Sequence, residues 1–471
     1  MSRDMIYTIE DKPPWATSVV LGFQHYLTMF GSTVAIPYIL KDALGASDQE
    51  LAVLISTMFL VSGISTLLQT SFGSRLPIVQ GGTFSFLGPA IAICTMAVIP
   101  EGSLPGEAFE NRMQHVQGAI IIGAFFEMAI GFSGLMGRVL RFISPVAIAP
   151  TIALIGLALF KFGAPKVGEH WGIGGLTIVL LILFSQYLRR VHKVFDLFPI
   201  LLGLLGAWVV AIMCTKIGWF GEDHPARVSF SAVEQAPWIA FPTPFQWGWP
   251  QFGVAAAVGM FAGYIASMIE STGDYFAAAR MAQAPTPDAK TVNRGIGFEG
   301  IGCLIAGIFG TGNGTTSYSE NIGAIGLTRV GSRRVIQAAA VLMICLAVFG
   351  KFGALFASFP SPLVGGMYCV MFGMIAGVGL SNLQFVDLNS PRNLFIIGFS
   401  IFMGISLPEY VGPNSKMILG LFHENVQWLG SIVTTIGSSG MAVGAFIALF
   451  LDNTIPGTDD ERGITAMSRR H

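Results

Sequence analysis

The chain has 471 residues, of which 53% are hydrophobic and only 11% charged, where an ordinary soluble domain carries roughly 25% charged residues. Its mean hydropathy is +0.66 and its net charge is -1. This balance excludes a water-soluble globular fold, points to no nucleic-acid partner, and places the chain in a bilayer, with lipid as its surroundings.

From Thr17 to Asp452 the sequence reads as about fourteen apolar runs, each near the roughly 20 residues a helix needs to cross the hydrocarbon. The first run begins too far in to be a removed signal peptide, and it lacks the basic flank and small-residue cleavage site of one. The cysteines at 94, 214, 303, 345 and 369 are scattered through apolar segments without CxxC spacing, so they read as packing residues and not as a disulfide framework or zinc site. If both termini are cytoplasmic, eighteen of the 26 Lys and Arg fall inside, among them Arg75, Arg138, Arg189, Arg280, Arg333 and Arg392. Shifting one span would break that bias, so an even number of spans is expected. The longest polar loops, Glu101 to Met113 and Gly218 to Gln251, then face outward.

In chain order, the first polar feature is Gln24-His25 in "LGFQHYLT", which reads as a buried network, although His25 also has the chemistry to titrate or bind ligand. The next is "GTFSF", Gly82 to Phe86, which matches "GTTSY", Gly314 to Tyr318, in the second half. "SPV" at Ser144 and "SPL" at Ser361 recur a similar distance further on. The expected fold is therefore an all-α polytopic membrane protein of about fourteen spans, arranged as a 7+7 inverted repeat. Two short antiparallel strands, in broken spans 3 and 10, would meet near the midplane. Glu127 and Glu299 are expected to pair with helix ends or basic residues.

Glu270 and Asp274, in "MIESTGDYFAAAR", are four apart and so share one helix face in an otherwise apolar run. Two such acids within a membrane suggest that a cation, a proton or a ligand donor offsets their charge. Thr315 to Tyr318 follow Gly310, Gly312 and Gly314 and read as a short extended piece. Backbone amides there lack helical partners and must be buried in protein or line a cavity, and the Gly82 to Phe86 run is the expected partner. Ser319 is the expected N-cap, with Glu320 in the first turn, where a carboxylate is favoured. Arg329, Arg333 and Arg334 read as anchors at a cytoplasmic helix end.

At these residues the chain resembles the nucleobase-ascorbate transporter family over about Trp15 to Val411. "IESTGDY", "GIFGTGNGTTS", "GLTRVGSRRVIQ" and "GKFGALFAS" read like its vitamin C branch, and Gln24-His25 matches the family's QH pair. "ENIGAIGLTR" matches the family signature through Asn321, Gly323, Thr328 and Arg329. The resemblance implies a core domain of residues 15–139 and 251–350 (spans 1 to 4 and 8 to 11). It implies a gate domain of 140–217 and 351–452 (spans 5 to 7 and 12 to 14), with 453–471 a cytoplasmic tail. It further implies a homodimer in the cell membrane and no cofactor beyond a coupling ion.

One departure bears on the substrate. The ascorbate branch resembles S-S-P-N where this chain has Tyr318-Ser319-Glu320-Asn321. A carboxylate repels the ascorbate anion in a low-dielectric site, whereas a neutral nucleobase presents N–H donors beside carbonyls. Glu270 and Glu320 can accept those donors, while amides near Phe84, Ser85 and the Ser319–Asn321 turn can serve the carbonyls. The expected function is thus nucleobase import (uracil, or a purine such as xanthine) by cation symport with alternating access; Na⁺-coupled ascorbate transport is the alternative. Asp274 is assigned to the coupling ion, with Ser317 and Thr83 as further oxygens if that ion is Na⁺; bacterial-type relatives imply H⁺. No Walker loop and no nucleophile-base constellation appears, which argues against a pump or an enzyme. A channel or a non-transporting binding protein is the rival of another class.

Overall fold

The computed structural model describes residues 5–465 except 98, 101, 140, 141, 193, 196, 197, 424 and 425. The expected inside residues Arg3, Arg141, Lys193, Arg469 and Arg470 and the end of the tail lie outside the described residues. The major elements are α1 (Trp15–Leu44), α2 (Asp48–Ser71), β1 (Gln80–Gly82), α3 (Leu87–Met96), α4 (Pro105–Ser133), α5 (Pro145–Leu157), α6 (Trp171–Ile182) and α7 (Pro199–Lys216). There follow α8 (Val254–Met281), α9 (Ala289–Phe309), β2 (Thr315–Ser317), α10 (Ser319–Thr328), α11 (Arg333–Val348), α12 (Gly350–Ala357), α13 (Ser361–Ser381), α14 (Pro391–Val411), α15 (Gln427–Gly437) and α16 (Gly440–Thr454).

Among the described residues, ten helical stretches are long and apolar enough to cross a membrane, or up to 12 if each of two bent pairs counts as one span. The bent pairs are α11 with α12, at 83°, and α15 with α16, at 93°. The helix ends follow local chemistry. Ser47 and Glu50 form a capping box at the start of α2. Asp288 accepts the Thr291 amide at the start of α9 over 2.8 Å. Gly310 ends α9 at φ 70°, and Gly312, also at φ 70°, turns the chain toward β2.

The strands pair antiparallel, with Gln80 opposite Ser317, Gly81 opposite Thr316 and Gly82 opposite Thr315. The partner of Thr315–Ser317 is therefore the segment just before the expected one: Phe84–Phe86 forms a 3-10 turn leading into α3. The physical reason is the set of side chains that satisfy the exposed backbone. Thr66 Oγ1 accepts the Gln80 amide (2.9 Å), Asn313 Oδ1 accepts that of Thr83 (2.8 Å), and Ser271 Oγ accepts that of Ser317 (3.2 Å). Each buried amide has a partner inside the protein, as hydrocarbon surroundings demand. β1 and β2 each lead into a helix of only 10 residues, α3 and α10.

Helix packing is closest where small residues meet. A Cβ on Gly131 of α4 would stand 2.2 Å from the Gly297 nitrogen of α9, so these backbones touch. An aromatic cluster of Tyr26, Phe30, Phe59, Phe352 and Phe356 joins α1, α2 and α12. Elsewhere α5 packs on α13 and α16, and α6 on α7 and α13. Asp452 of α16 is fully buried and ties that region together, accepting from Ser144 (2.7 Å), Arg392 (3.1 Å) and Arg462 (2.9 Å).

The outer loop expectation needs one correction. Pro105–Ser133 is a single helix, so residues 105–113 are its first turns and not loop. Pro105 at the first helical position and Glu107 bonded back to the Leu104 amide (3.0 Å) start it early. The 218–251 segment is irregular apart from Ser231–Gln235, and it is pinned to α9 by Trp247 Nε1 donating to the Gly310 carbonyl (2.9 Å).

Candidate functional site

α8 carries Glu270 and Asp274 one turn apart, facing β2 and α10. Asp274 is 7% exposed, and both its oxygens are bonded. Ser319 Oγ donates to Oδ1 over 2.8 Å. Ser317 Oγ lies 3.1 Å from Oδ2 and 2.8 Å from Ser271 Oγ, its single proton serving one acceptor at a time. Ser319 is thus not the helix cap. Tyr318 holds that position without a side-chain bond, and the serine turns instead to the carboxylate of α8.

Glu270 differs from Asp274. Its Oε2 is buried and has no hydrogen-bond partner, and its electrostatic neighbours are acids, Asp274 first and then Glu320. Glu320 Oε1 accepts from Ser32 Oγ of α1 over 2.5 Å. Ser32 has no signal in the sequence, because one serine in an apolar helix most often bonds its own backbone. Gly273 and Gly323 flank the two glutamates, both exposed, and a Cβ on either would meet nothing within 4 Å. Glu270 and Glu320 are each half-buried, and each stands three residues before one of these exposed glycines.

A cavity of about 370 Å³ lies between α3, α5, α14 and the α15–α16 bend, within the size range of small-molecule sites. Phe84 and Ser85 line its inner end, and Lys161 and Glu409 its rim, 3.7 Å apart. Glu270, Asp274 and Glu320 are not among the residues that line it, whereas Phe84 and Ser85 are. Thr83 is engaged within its own turn: its hydroxyl is 2.5 Å from Ser85 Oγ and accepts the Ser85 amide (3.1 Å). One of the amides expected to serve a ligand carbonyl is therefore already engaged.

Asn321 faces the QH pair. Its Nδ2 donates to the His25 carbonyl (2.8 Å) and lies 3.3 Å from His25 Nδ1. Its Oδ1 and Gln24 Nε2 are buried without partners. Thr328 bonds back to the Ala324 carbonyl (2.8 Å). Arg329 ends α10 at φ 59°, and its own carbonyl accepts the Ile6 amide (2.8 Å). Glu299 accepts from Ser267 and Tyr275, each over 3.1 Å. Among the described residues neither Glu299 nor Glu127 has a basic partner, contrary to expectation, because the basic residues sit at helix ends and these acids lie mid-helix.

If Na⁺ is the cargo ion, the oxygen donors gathered at one point are the two of Asp274 and the hydroxyls of Ser317 and Ser319. Hard oxygen donors suit such an ion, but Thr83 adds nothing to this set.

A family model described as Permease family matches residues 16–412. Solute carrier family 23 member 2 of Mus musculus is 46% identical over 98% of this chain and 76% of its own length. Nucleobase-ascorbate transporter 1 of Arabidopsis thaliana is 41% identical over 96% of this chain and 89% of its own. Among solved structures, the transmembrane domain of the cyanobacterium bicarbonate transporter BicA superposes with a TM-score of 0.58 at 14% identity, covering 92% of this chain and 99% of that domain. SLC26A9 gives 0.60 at 12% identity, over 82% of this chain and 62% of that protein. These two likenesses concern the fold alone.

Proposed function

The chain belongs to the permease family that includes the nucleobase-ascorbate transporters, and from that premise we propose that it is a secondary active transporter importing a nucleobase by cation symport. The observation that carries this reading is the contrast between two acids one turn apart. Asp274 has both oxygens satisfied by serines, whereas Glu270 keeps a buried, unpartnered acceptor. A buried acceptor awaiting a donor suits a ligand with N–H groups. A second carboxylate, Glu320, beside it disfavours an anion.

In this reading Glu270 and Glu320 accept the nucleobase N–H groups. Asp274 with Ser317 and Ser319 carries the coupling ion, and Na⁺ fits the oxygen set. Counting α3 with β1 and α10 with β2 as broken spans, and each bent pair as one, raises the ten long helices to fourteen, in two halves of seven. Residues 15–139 and 251–350 would move as a transport unit against 140–217 and 351–452, in a homodimer with cytoplasmic termini.

Counterflow in proteoliposomes tests this. Preloaded unlabelled nucleobase should accelerate uptake of labelled uracil or xanthine, saturably and with a cation gradient, and ascorbate should not compete. Competition by ascorbate alone would overturn the nucleobase assignment in favour of the vitamin C reading, and non-saturating flux would favour a channel.

A further inference from the structure

Glu127 of α4 and Glu299 of α9 take no part in the site described above, yet both lie next to a close contact between these two helices. Met128 and Gly300 mark the contact, with a Cβ on Gly300 standing only 2.8 Å from the Met128 nitrogen. Glu127 and Glu299 are the residues just before these two on their helices, Glu127 is 0% and Glu299 1% exposed, and Glu299 is the charged neighbour of Glu127.

Their surroundings differ. Glu299 is supplied with donors by Ser267 and by Tyr275, which in turn accepts from Gln69 Nε2 over 2.6 Å. Glu127 has none, and both its oxygens are buried without a hydrogen-bond partner. The titratable groups around them are Cys303 on α9 and Tyr264, Tyr275, Glu270 and Asp274 on α8. Tyr264 spends its proton on the Ile120 carbonyl (2.7 Å), and Cys303 lies 3.3 Å from both the Thr315 carbonyl and its amide. No basic side chain forms an ion pair with either acid among the described residues. Two ionised carboxylates here would be buried side by side with donors for only one, at a cost a folded protein avoids by neutralising a group.

We infer that Glu127 and Glu299 form a second cation-loading site, distinct from Asp274, which holds one proton between the two carboxylates and rests it on Glu127. The site communicates with Asp274 through hydroxyls. Ser317 bridges Asp274 to Ser271, and Ser267, one turn before Ser271 on α8, donates to Glu299. Serines on α8 thus hold both carboxylates, Ser271 through Ser317 on the Asp274 side and Ser267 on the Glu299 side, so the two sites share one helix. The inference does not depend on which substrate the chain carries.

The test is infrared spectroscopy of the purified chain in nanodiscs, free of substrate, with exchange from H₂O to D₂O near neutral pH. The wild type should show a carboxylic C=O band component that is lost in Glu127→Gln and kept in both Asp274→Asn and Glu299→Gln. An unchanged spectrum in Glu127→Gln overturns the assignment. So does loss of the component in the wild type when Na⁺ is added at constant pH, which would make the pair a Na⁺ site. If Glu127→Gln fails to assemble, Glu127→Asp keeps an acid at the position and should shift the component in frequency. A component unmoved in that variant also overturns the inference.

Discussion

Ser319, the first residue of α10, donates its hydroxyl across 2.8 Å to Asp274 on α8. The carboxylate expected to hold the coupling ion is therefore tied directly to the start of the helix that carries Glu320. In the proposed symport, an ion arriving at Asp274 would compete with or recruit that hydroxyl and so act on the start of α10. This gives a physical route for the reciprocal coupling that symport requires. Asp274→Asn is expected to retain nucleobase exchange between equal pools while losing uphill uptake driven by a Na⁺ or pH gradient. Proteoliposome uptake with and without the gradient measures both, and wild-type gradient dependence in the variant would remove Asp274 from the coupling role.

Glu270→Gln exchanges one acceptor oxygen for an NH₂ donor at the position where, on the proposed function, the ligand supplies the donor. The cost is about 1 to 3 kcal/mol for the group left unpaired, or about 5- to 150-fold in affinity. Glu320→Ala should fall in the same range. Ser32→Ala, which only frees Glu320 Oε1 from its 2.5 Å hydrogen bond, should lose less than Glu320→Ala. Calorimetric titration with uracil and xanthine ranks the three, and a Ser32 variant as impaired as Glu320→Ala would show that the ordering is wrong.

The paired acids on α8 were legible because four-residue spacing is a local property, and the extended run after Gly310, Gly312 and Gly314 was legible because no helix tolerates that glycine density. The register of its partner was not. It is set by Thr66, Asn313 and the Tyr318 ring lying over Gly81, contacts distant in sequence. Ser32 escaped notice for the same reason. Glu127 and Glu299 were expected to pair with helix ends or basic residues, because composition records that such groups exist and not how deep each acid lies. Asn321 was placed with the ligand contacts by its motif, and the structure turns its amide to His25.

Asn313 holds the strand crossing by accepting the fully buried Thr83 amide over 2.8 Å. Asn313→Ala leaves that amide without an acceptor, a loss of about 1 to 3 kcal/mol. The expected outcome is a lower unfolding temperature in detergent together with weakened substrate binding, since α3 is hung from this crossing. A variant as stable as the wild type would mean that a water or another acceptor replaces the side chain.

Asp452 is enclosed by Arg392, 8% exposed, and Arg462, 14% exposed. Asp452→Ala leaves both guanidinium groups without their carboxylate and should cost about 3 to 5 kcal/mol, the range for breaking a buried pair by removing one partner. Arg462→Ala leaves the Arg392 contact in place, so its cost should be smaller. Thermal unfolding of the two variants in the same detergent decides the order, and equal losses would show that Arg462 carries the network alone.

The last prediction concerns access. Gly323 sits one turn past Glu320 on α10 and faces open space, as does Gly273 beside Glu270 on α8. If that opening is the route to the two glutamates, a cysteine placed there is reachable by a small thiol reagent and is covered when a nucleobase binds. The background must lack the five native cysteines, of which Cys345 is exposed. Gly323→Cys in that background should label readily, because its side chain meets no neighbour and φ there lies outside the left-handed region. Saturating uracil or xanthine should slow the labelling several-fold, and ascorbate should not. A cysteine at Ser438, which lines the cavity ending at Phe84 and Ser85, serves as the comparison: it reports the other opening. Labelling at Gly323→Cys that is indifferent to every nucleobase, with protection at Ser438→Cys instead, would move the ligand to that cavity and away from Glu270 and Glu320.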